Sequence, residues 1–185
     1  VCPGLVDLHT HLKPFSSPEY ATDAAVCYPF GVTAAVDAGT VAESSFESGL
    51  TLRFFPTVGI RDGKACLEKA EKLLAFYGDR AIGVKVYAPA LAGGGAPLLR
   101  EICAFAHEKG KKVMVHCTDT AMPMEELLGC LSEGDIATHV FHGSAHSAEE
   151  DGFASLLDAR RRGVVLDAGI AGHVHLDYEV AAKAA

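Results

Sequence analysis

Short apolar runs rich in Val, Ile and Phe recur along the chain, separated by segments whose apolar positions follow a helical period. This alternation is the pattern of consecutive βα units and a parallel sheet. It predicts strands near residues 5–11, 32–38, 52–58, 81–87, 112–118, 136–142 and 164–169, with helices near 64–77, 97–109, 122–133, 148–162 and 177–185. Gly78, Gly110, Gly134 and Gly163 stand where helices should end, and Ser147-x-x-Glu150 reads as a capping box opening one of them. The polar segment 14–31, with its three prolines, reads as a loop plus a short helix. A strand-to-strand spacing of roughly 20–30 residues suits a (β/α)8 barrel. A doubly wound open sheet suits the same alternation. Seven βα units are visible in a single domain, 1–185, so a barrel is expected to lack its eighth strand and any small N-terminal domain.

Charge narrows the partners. Sixteen basic residues against 24 acidic ones give a net charge of −8, which leaves no electrostatic footprint for nucleic acid or an anionic membrane. No apolar run reaches the length of a membrane span, and Val1-Cys2-Pro3-Gly4 lacks the character of a signal peptide. Six cysteines without a CxxC pair read as reduced thiols. The expectation is a cytoplasmic protein acting on a small molecule, with assembly into homo-oligomers left open.

The candidate chemistry is concentrated at strand ends. In Pro3-Gly4-Leu5-Val6-Asp7-Leu8-His9-Thr10-His11, alternation puts Asp7, His9 and His11 on one face, while Val6 and Leu8 argue for a buried strand. Two imidazoles at adjacent positions of one strand face can chelate a divalent metal. In Gly83-Val84-Lys85-Val86-Tyr87 the lysine opposes Ile82, Val84 and Val86, so its ammonium either enters a cavity or snorkels to water. Desolvation would make it a neutral amine, able to capture carbon dioxide as a carbamate or a carbonyl as a Schiff base. Val113-Met114-Val115-His116 and Ile136-Ala137-Thr138-His139-Val140-Phe141-His142-Gly143 also end in histidine. Regular alternation points His139 inward and leaves Ile136, Val140 and His142 on the helix side, with His142 at the strand exit. Histidines on strands one, five and six around a lysine on strand four make a metal site the economical account. Cys117 reads as a core thiol, and Asp37 and Asp167 as strand-end carboxylates that either support the histidines or cap turns. No GxSxG, GxxxxGK[ST] or GxGxxG motif is present in the contexts those chemistries require.

Taken together, the Pro-Gly-Leu-Val-Asp-Leu-His-Thr-His run at 3–11, Gly-Val-Lys-Val at 83–86, Val-Met-Val-His at 113–116 and Thr-His-Val-Phe-His-Gly at 138–143 resemble the amidohydrolase superfamily. Val-Asp-Ala-Gly at 36–39 and Gly-Asp-Ile at 134–136 look most like its dihydroorotase-like amidohydrolase/deacetylase branch. The resemblance implies a (β/α)8 barrel with two divalent ions, usually zinc. His9 and His11 would hold one ion, a carbamylated Lys85 would bridge both, and His116 and His139 would hold the second. His142 is then expected near the substrate with Lys85 as a catalytic group. A hydroxide shared by the ions would attack the carbonyl of an amide, cyclic amide, N-acyl or ester bond. The departures are the metal-binding aspartate of strand eight, for which no counterpart is seen, and Gly169-Ile170-Ala171-Gly172-His173-Val174-His175 where a Gly-His-Gly-like turn is usual. Tyr87 also stands where the branch often has arginine. The rivals are a Schiff-base lyase or aldolase using Lys85 directly, and a truncated barrel without catalysis.

Overall fold

The computed structural model describes residues 2–12, 21–22, 27–40, 49–170 and 174–185. Ten strands are named: β1 (Leu5–Leu12), β2 (Ala21–Thr22), β3 (Val32–Asp37), β4 (Thr51–Phe54), β5 (Ile60–Arg61), β6 (Lys64–Ala65), β7 (Gly83–Tyr87), β8 (Lys112–His116), β9 (Ile136–Thr138) and β10 (Val165–Asp167). Among the described residues five α-helices alternate with the later strands: α1 (Leu67–Tyr77), α2 (Gly95–Glu108), α3 (Met124–Leu128), α4 (Ala154–Arg161) and α5 (Tyr178–Ala184). The expected loop-and-helix segment 14–31 lies largely outside the described residues. Its described part is β2 and a 3-10 turn, Tyr28–Phe30.

Two four-stranded sheets run in the orders β2-β1-β3-β4 and β10-β9-β8-β7, and every neighbouring pair in them is parallel. The chain beyond β4 joins them. Phe54 bridges Ala81 and Thr57 bridges Lys85, and the Lys85 N–H donates to Pro56 O at 2.9 Å while Val58 N–H donates to Lys85 O at 2.9 Å. The seven strands read from the sequence therefore form one parallel succession, β1-β3-β4-β7-β8-β9-β10. Its two ends approach each other, because His9 on β1 hydrogen-bonds Asp167 on β10.

The apolar alternation sorts into two cores. Val84, Val86, Val113, Val115 and Ala137 face the helices and pack with Leu73, Leu99, Ile102 and Leu127. A smaller cluster of Val36, Ala38, Phe55 and Met114, with Ile82 and Ile136 against it, fills the opposite face. Ile82 and Ile136 thus pack away from the helices, contrary to the side that alternation assigns them. The β1 expectation also needs correction: Leu8 is 63% exposed, and Leu5 and Val6 are exposed as well. Among the described residues β1 contacts chiefly its sheet neighbours β2 and β3, which leaves these apolar side chains uncovered.

Two helix expectations change for local reasons. The 148–162 segment breaks into a 3-10 turn, Ala148–Asp151, and α4, because Gly152 and Phe153 both take left-handed φ, 63° and 66°. The capping box does not form: Ser147 makes no side-chain cap bond, and Glu150 Oε1 accepts from the His146 N–H at 2.7 Å. The 122–133 helix shrinks to α3, so Gly134 turns the chain into β9 instead of ending a helix. No helix among the described residues is long and apolar enough to cross a membrane.

Candidate metal centre

The polar residues of interest gather at the C-terminal ends of the parallel strands. There unpaired strand ends and loops meet, and there α/β proteins place their chemistry. His116 closes β8, Thr138 closes β9, Asp167 closes β10, and His9 and His11 lie in the last half of β1. Ring centroids are 5.6 Å apart for His9–His11, 5.0 Å for His9–His139 and 4.6 Å for His116–His139. The structure therefore brings together the histidines expected from three strands. Asp7 does not join them: it is exposed and accepts a hydrogen bond from the His9 backbone N–H.

His139 reaches the cluster by a route that alternation does not describe. β9 stops at Thr138, and His139 takes a left-handed φ of 65°. Such a conformation costs a side-chain-bearing residue about 1–3 kcal/mol and persists only where its surroundings hold it. Here the Nδ1–H donates to Gly169 O at 2.5 Å. Gly169 is itself left-handed, at φ 53°, and a Cβ there would come within 2.5 Å of His139 Nδ1 and 2.4 Å of Thr138 Oγ1. Gly169→Ala is therefore expected to destabilise the fold by about 1–3 kcal/mol through backbone strain and this clash. Urea denaturation measures it, and an unchanged midpoint would show that the His139 turn is not held there.

Partners fix which ring nitrogens remain available. His9 Nδ1 is 3.0 Å from both Asp167 Oδ2 and Thr138 Oγ1, and the Thr138 hydroxyl donates to Asp167 Oδ2 at 2.7 Å. An ionised carboxylate only accepts, as does a carbonyl, so His9 and His139 both carry their proton on Nδ1 and keep the Nε2 lone pair. Burial would raise the Asp167 carboxyl, but the hydrogen bonds from His9 and Thr138 and the Gly169 N–H outweigh it and hold it at about 2. Asp167 thus does both things expected of it, supporting a histidine and capping a turn. Asp37 is fully buried and works chiefly as a turn acceptor, taking the N–H groups of Leu12, Gly39 and Thr40.

Burial, reinforced by the other histidines and by Lys85, drives His116 down to about 2 and His139 to about 3, and lowers His11 and His175 as well. His116 and His139 are therefore neutral at physiological pH, the state in which imidazole binds metal. Lys85 is 6% exposed, and its Nζ has no hydrogen-bond partner among the described residues. Desolvation brings its amine down to about 8. It has not snorkelled to water, and among the described residues no carboxylate bonds it, although Asp167 and Asp37 partly offset its desolvation. Gly39 (φ 106°) cradles it, since a Cβ there would stand 2.9 Å from Lys85 Cγ. An orphaned buried amine beside neutral imidazoles fits a site for divalent cations and an anionic group on the lysine.

His142 stands apart. It is fully buried, its Nδ1 is bonded to Ser144 Oγ at 2.8 Å, and no ring contact joins it to the others among the described residues. Cys117 is the core thiol expected, fully buried, with burial pushing it up to about 12. His175 was missed. It lies past β10, stacked on His139 with centroids 4.3 Å apart. No motif carries it, and only its place in the run 169–175 could have drawn attention to it. His173 of the same run lies outside the described residues.

A parallel α/β frame with histidines and a buried lysine at its strand ends defines the class to which this chain is similar, the amidohydrolase superfamily. The comparisons agree. A dihydroorotase crystal structure superposes with a TM-score of 0.80 at 26% identity, covering 97% of this chain and 55% of that one. An adenine deaminase structure shares the fold, with a TM-score of 0.79 at 21% identity over 98% of this chain and 56% of that one. In sequence the chain is 26% identical to a deacetylase from Brucella anthropi, over 93% of this chain and 50% of the relative. It spans about half the length of the curated relatives it matches. No protein-family model matches it.

Proposed function

We propose that the protein is a metal-dependent hydrolase of C–N bonds, working on an amide, cyclic amide or N-acyl group, or a related ester, of a small molecule. Its frame is read as a (β/α)8 barrel with seven βα units in this chain. The observation that carries the proposal is the orphaned Lys85 amine amid neutral histidines. His9 and His11 would hold one divalent ion and His116 and His139 the second, with zinc the ion that imidazole donors suit first. Such ions, when bound, lower the pKa of water and polarise a carbonyl oxygen.

The chain's own residues prepare that site. Asp167 and Thr138 orient His9, and the Gly169 carbonyl orients His139, so both rings offer Nε2. Lys85, as the neutral amine, adds to carbon dioxide: its nitrogen bonds the carbon, one proton leaves, and a carbamate replaces a costly buried cation with an anion matched to two cations. Tyr87, half exposed with its ring 4.8 Å from His116, forms part of the entrance. The free cysteines and net charge of −8 suit a reducing cytoplasm and a small-molecule partner. A Schiff-base lyase would need Lys85 but no ring of histidines around it, and nothing favours it.

Elemental mass spectrometry on protein purified without chelator tests the reading. About two divalent ions per folded chain are expected. A folded, metal-free protein whose lysine is trapped by borohydride with a carbonyl compound would overturn it. With metal established, hydrolysis of N-acyl amino acids and cyclic amides gives the substrate class.

A further inference from the structure

The motifs supply two histidines on the β8–β9 side of the centre, yet a third imidazole stands with them. One ring nitrogen from each of His116, His139 and His175 lies within 4.8 Å of the other two. The His175 ring is 4.3 Å from that of His139 and 5.0 Å from that of His116. Its Nδ1 lies 3.0 Å from Thr118 Oγ1, and Thr118 is itself 2% exposed. His175 is held like His9 and His139 by Nδ1 on an oxygen, and with the Thr118 hydroxyl accepting the Nδ1–H its Nε2 lone pair is left over. Holding one ring nitrogen by an outer oxygen is how ligand histidines are oriented. Lone pairs brought this close gain nothing from one another without a cation between them.

We propose that His175 supplies a third imidazole to the divalent ion held by His116 and His139. The inference rests on the metal-dependent reading above. The His139 and His175 rings are stacked with planes 21° apart, so their in-plane lone pairs run side by side; both rings reach one ion when His175 turns about χ2, a broad torsion, and the Thr118 hydroxyl rotates to follow.

Cobalt(II) is the probe, since it takes zinc's ligands and its visible absorption reports coordination. The 185-residue chain, His175→Asn and Thr118→Val are loaded with Co2+ against a competing chelator, with circular dichroism as the folding control. Thr118→Val should weaken one ion's binding by about 10–100-fold, the effect of losing an outer partner, and His175→Asn should weaken it further and change the visible spectrum. A folded His175→Asn with the affinity and spectrum of the unsubstituted chain overturns the proposal. Should His175→Asn not fold, unchanged affinity in Thr118→Val overturns it. An unsubstituted chain that takes up no cobalt fails the functional reading itself, a result distinct from either.

Discussion

Lys85→Met stabilises the metal-free protein by about 3 kcal/mol at pH 7 and at the same time ends its capacity to hold a pair of ions. The stability part follows from burial. Desolvation, only partly offset by Cys117, Asp167 and Asp37, lowers the Lys85 amine from 10.5 to about 8. That fall corresponds to about 3 kcal/mol favouring the unfolded chain, where the ammonium is hydrated. Methionine matches the length of the stem, carries no charge and adapts to irregular space. The sign is checked by pH. Below pH 8 both states are protonated and the full cost is present; as pH rises from 8 to 10.5 the folded amine is already neutral while the unfolded one still binds its proton, so the cost disappears. The variant's advantage should therefore be largest at neutral pH and shrink towards pH 10.5. For a chain of this length it appears as a rise in Tm of about 5–12 °C. A variant no more stable than the original at pH 7, or an advantage that does not depend on pH, would sink the claim that Lys85 is an uncompensated buried cation.

Such a residue is retained against stability only where function requires it, and this is why Lys85 was legible in the sequence. A lysine between Val84 and Val86 violates the apolar pattern of a buried strand, and the violation is visible without any structure. His116 ends the regularly paired strand β8, whereas β1 slips its register against β3 between Asp7 and Thr10, so His9 and His11 were legible from their spacing and not from an unbroken alternation. His139 was found for the wrong physical reason. Alternation fails after Thr138, and a left-handed φ, which no periodicity encodes, swings the ring inward. The assumption that β1 is buried failed because two apolar residues on a strand do not reveal whether another element covers them. The 148–162 helix failed at Phe153, whose positive φ comes from tertiary packing against the core and not from its own preference. His175 was illegible because it lies in a connection beyond β10, where spacing carries no directional information. The two short strands β5 and β6 form a hairpin of two residues each, too brief for a period of two to register.

Asp167→Ala should do the opposite of Lys85→Met, weakening the fold and the metal site together. Its Oδ2 takes the His9 Nδ1–H and the Thr138 hydroxyl, and its Oδ1 takes the Gly169 N–H at 3.1 Å. Removing it leaves these donors short of an acceptor, at a cost of about 1–3 kcal/mol. It also cuts the described side-chain hydrogen bond between β1 and β10, the two ends of the strand succession, and frees the His9 ring to turn. Loss of such an outer carboxylate should weaken binding at the His9–His11 ion by about 10–100-fold. Asp167→Asn keeps an acceptor oxygen and should fall between the two proteins in both respects. The acid limb of the stability curve gives a third readout. The carboxyl is held at about 2, below its ordinary 3.8, so its contribution is fully present above pH 4 and is lost as pH falls towards 2. The original chain and the alanine variant should therefore converge in stability as the pH approaches 2. If Asp167→Ala binds metal as tightly as the original chain while losing stability, the carboxylate serves the turn at Gly169 alone, and His9 is oriented by Thr138 without it.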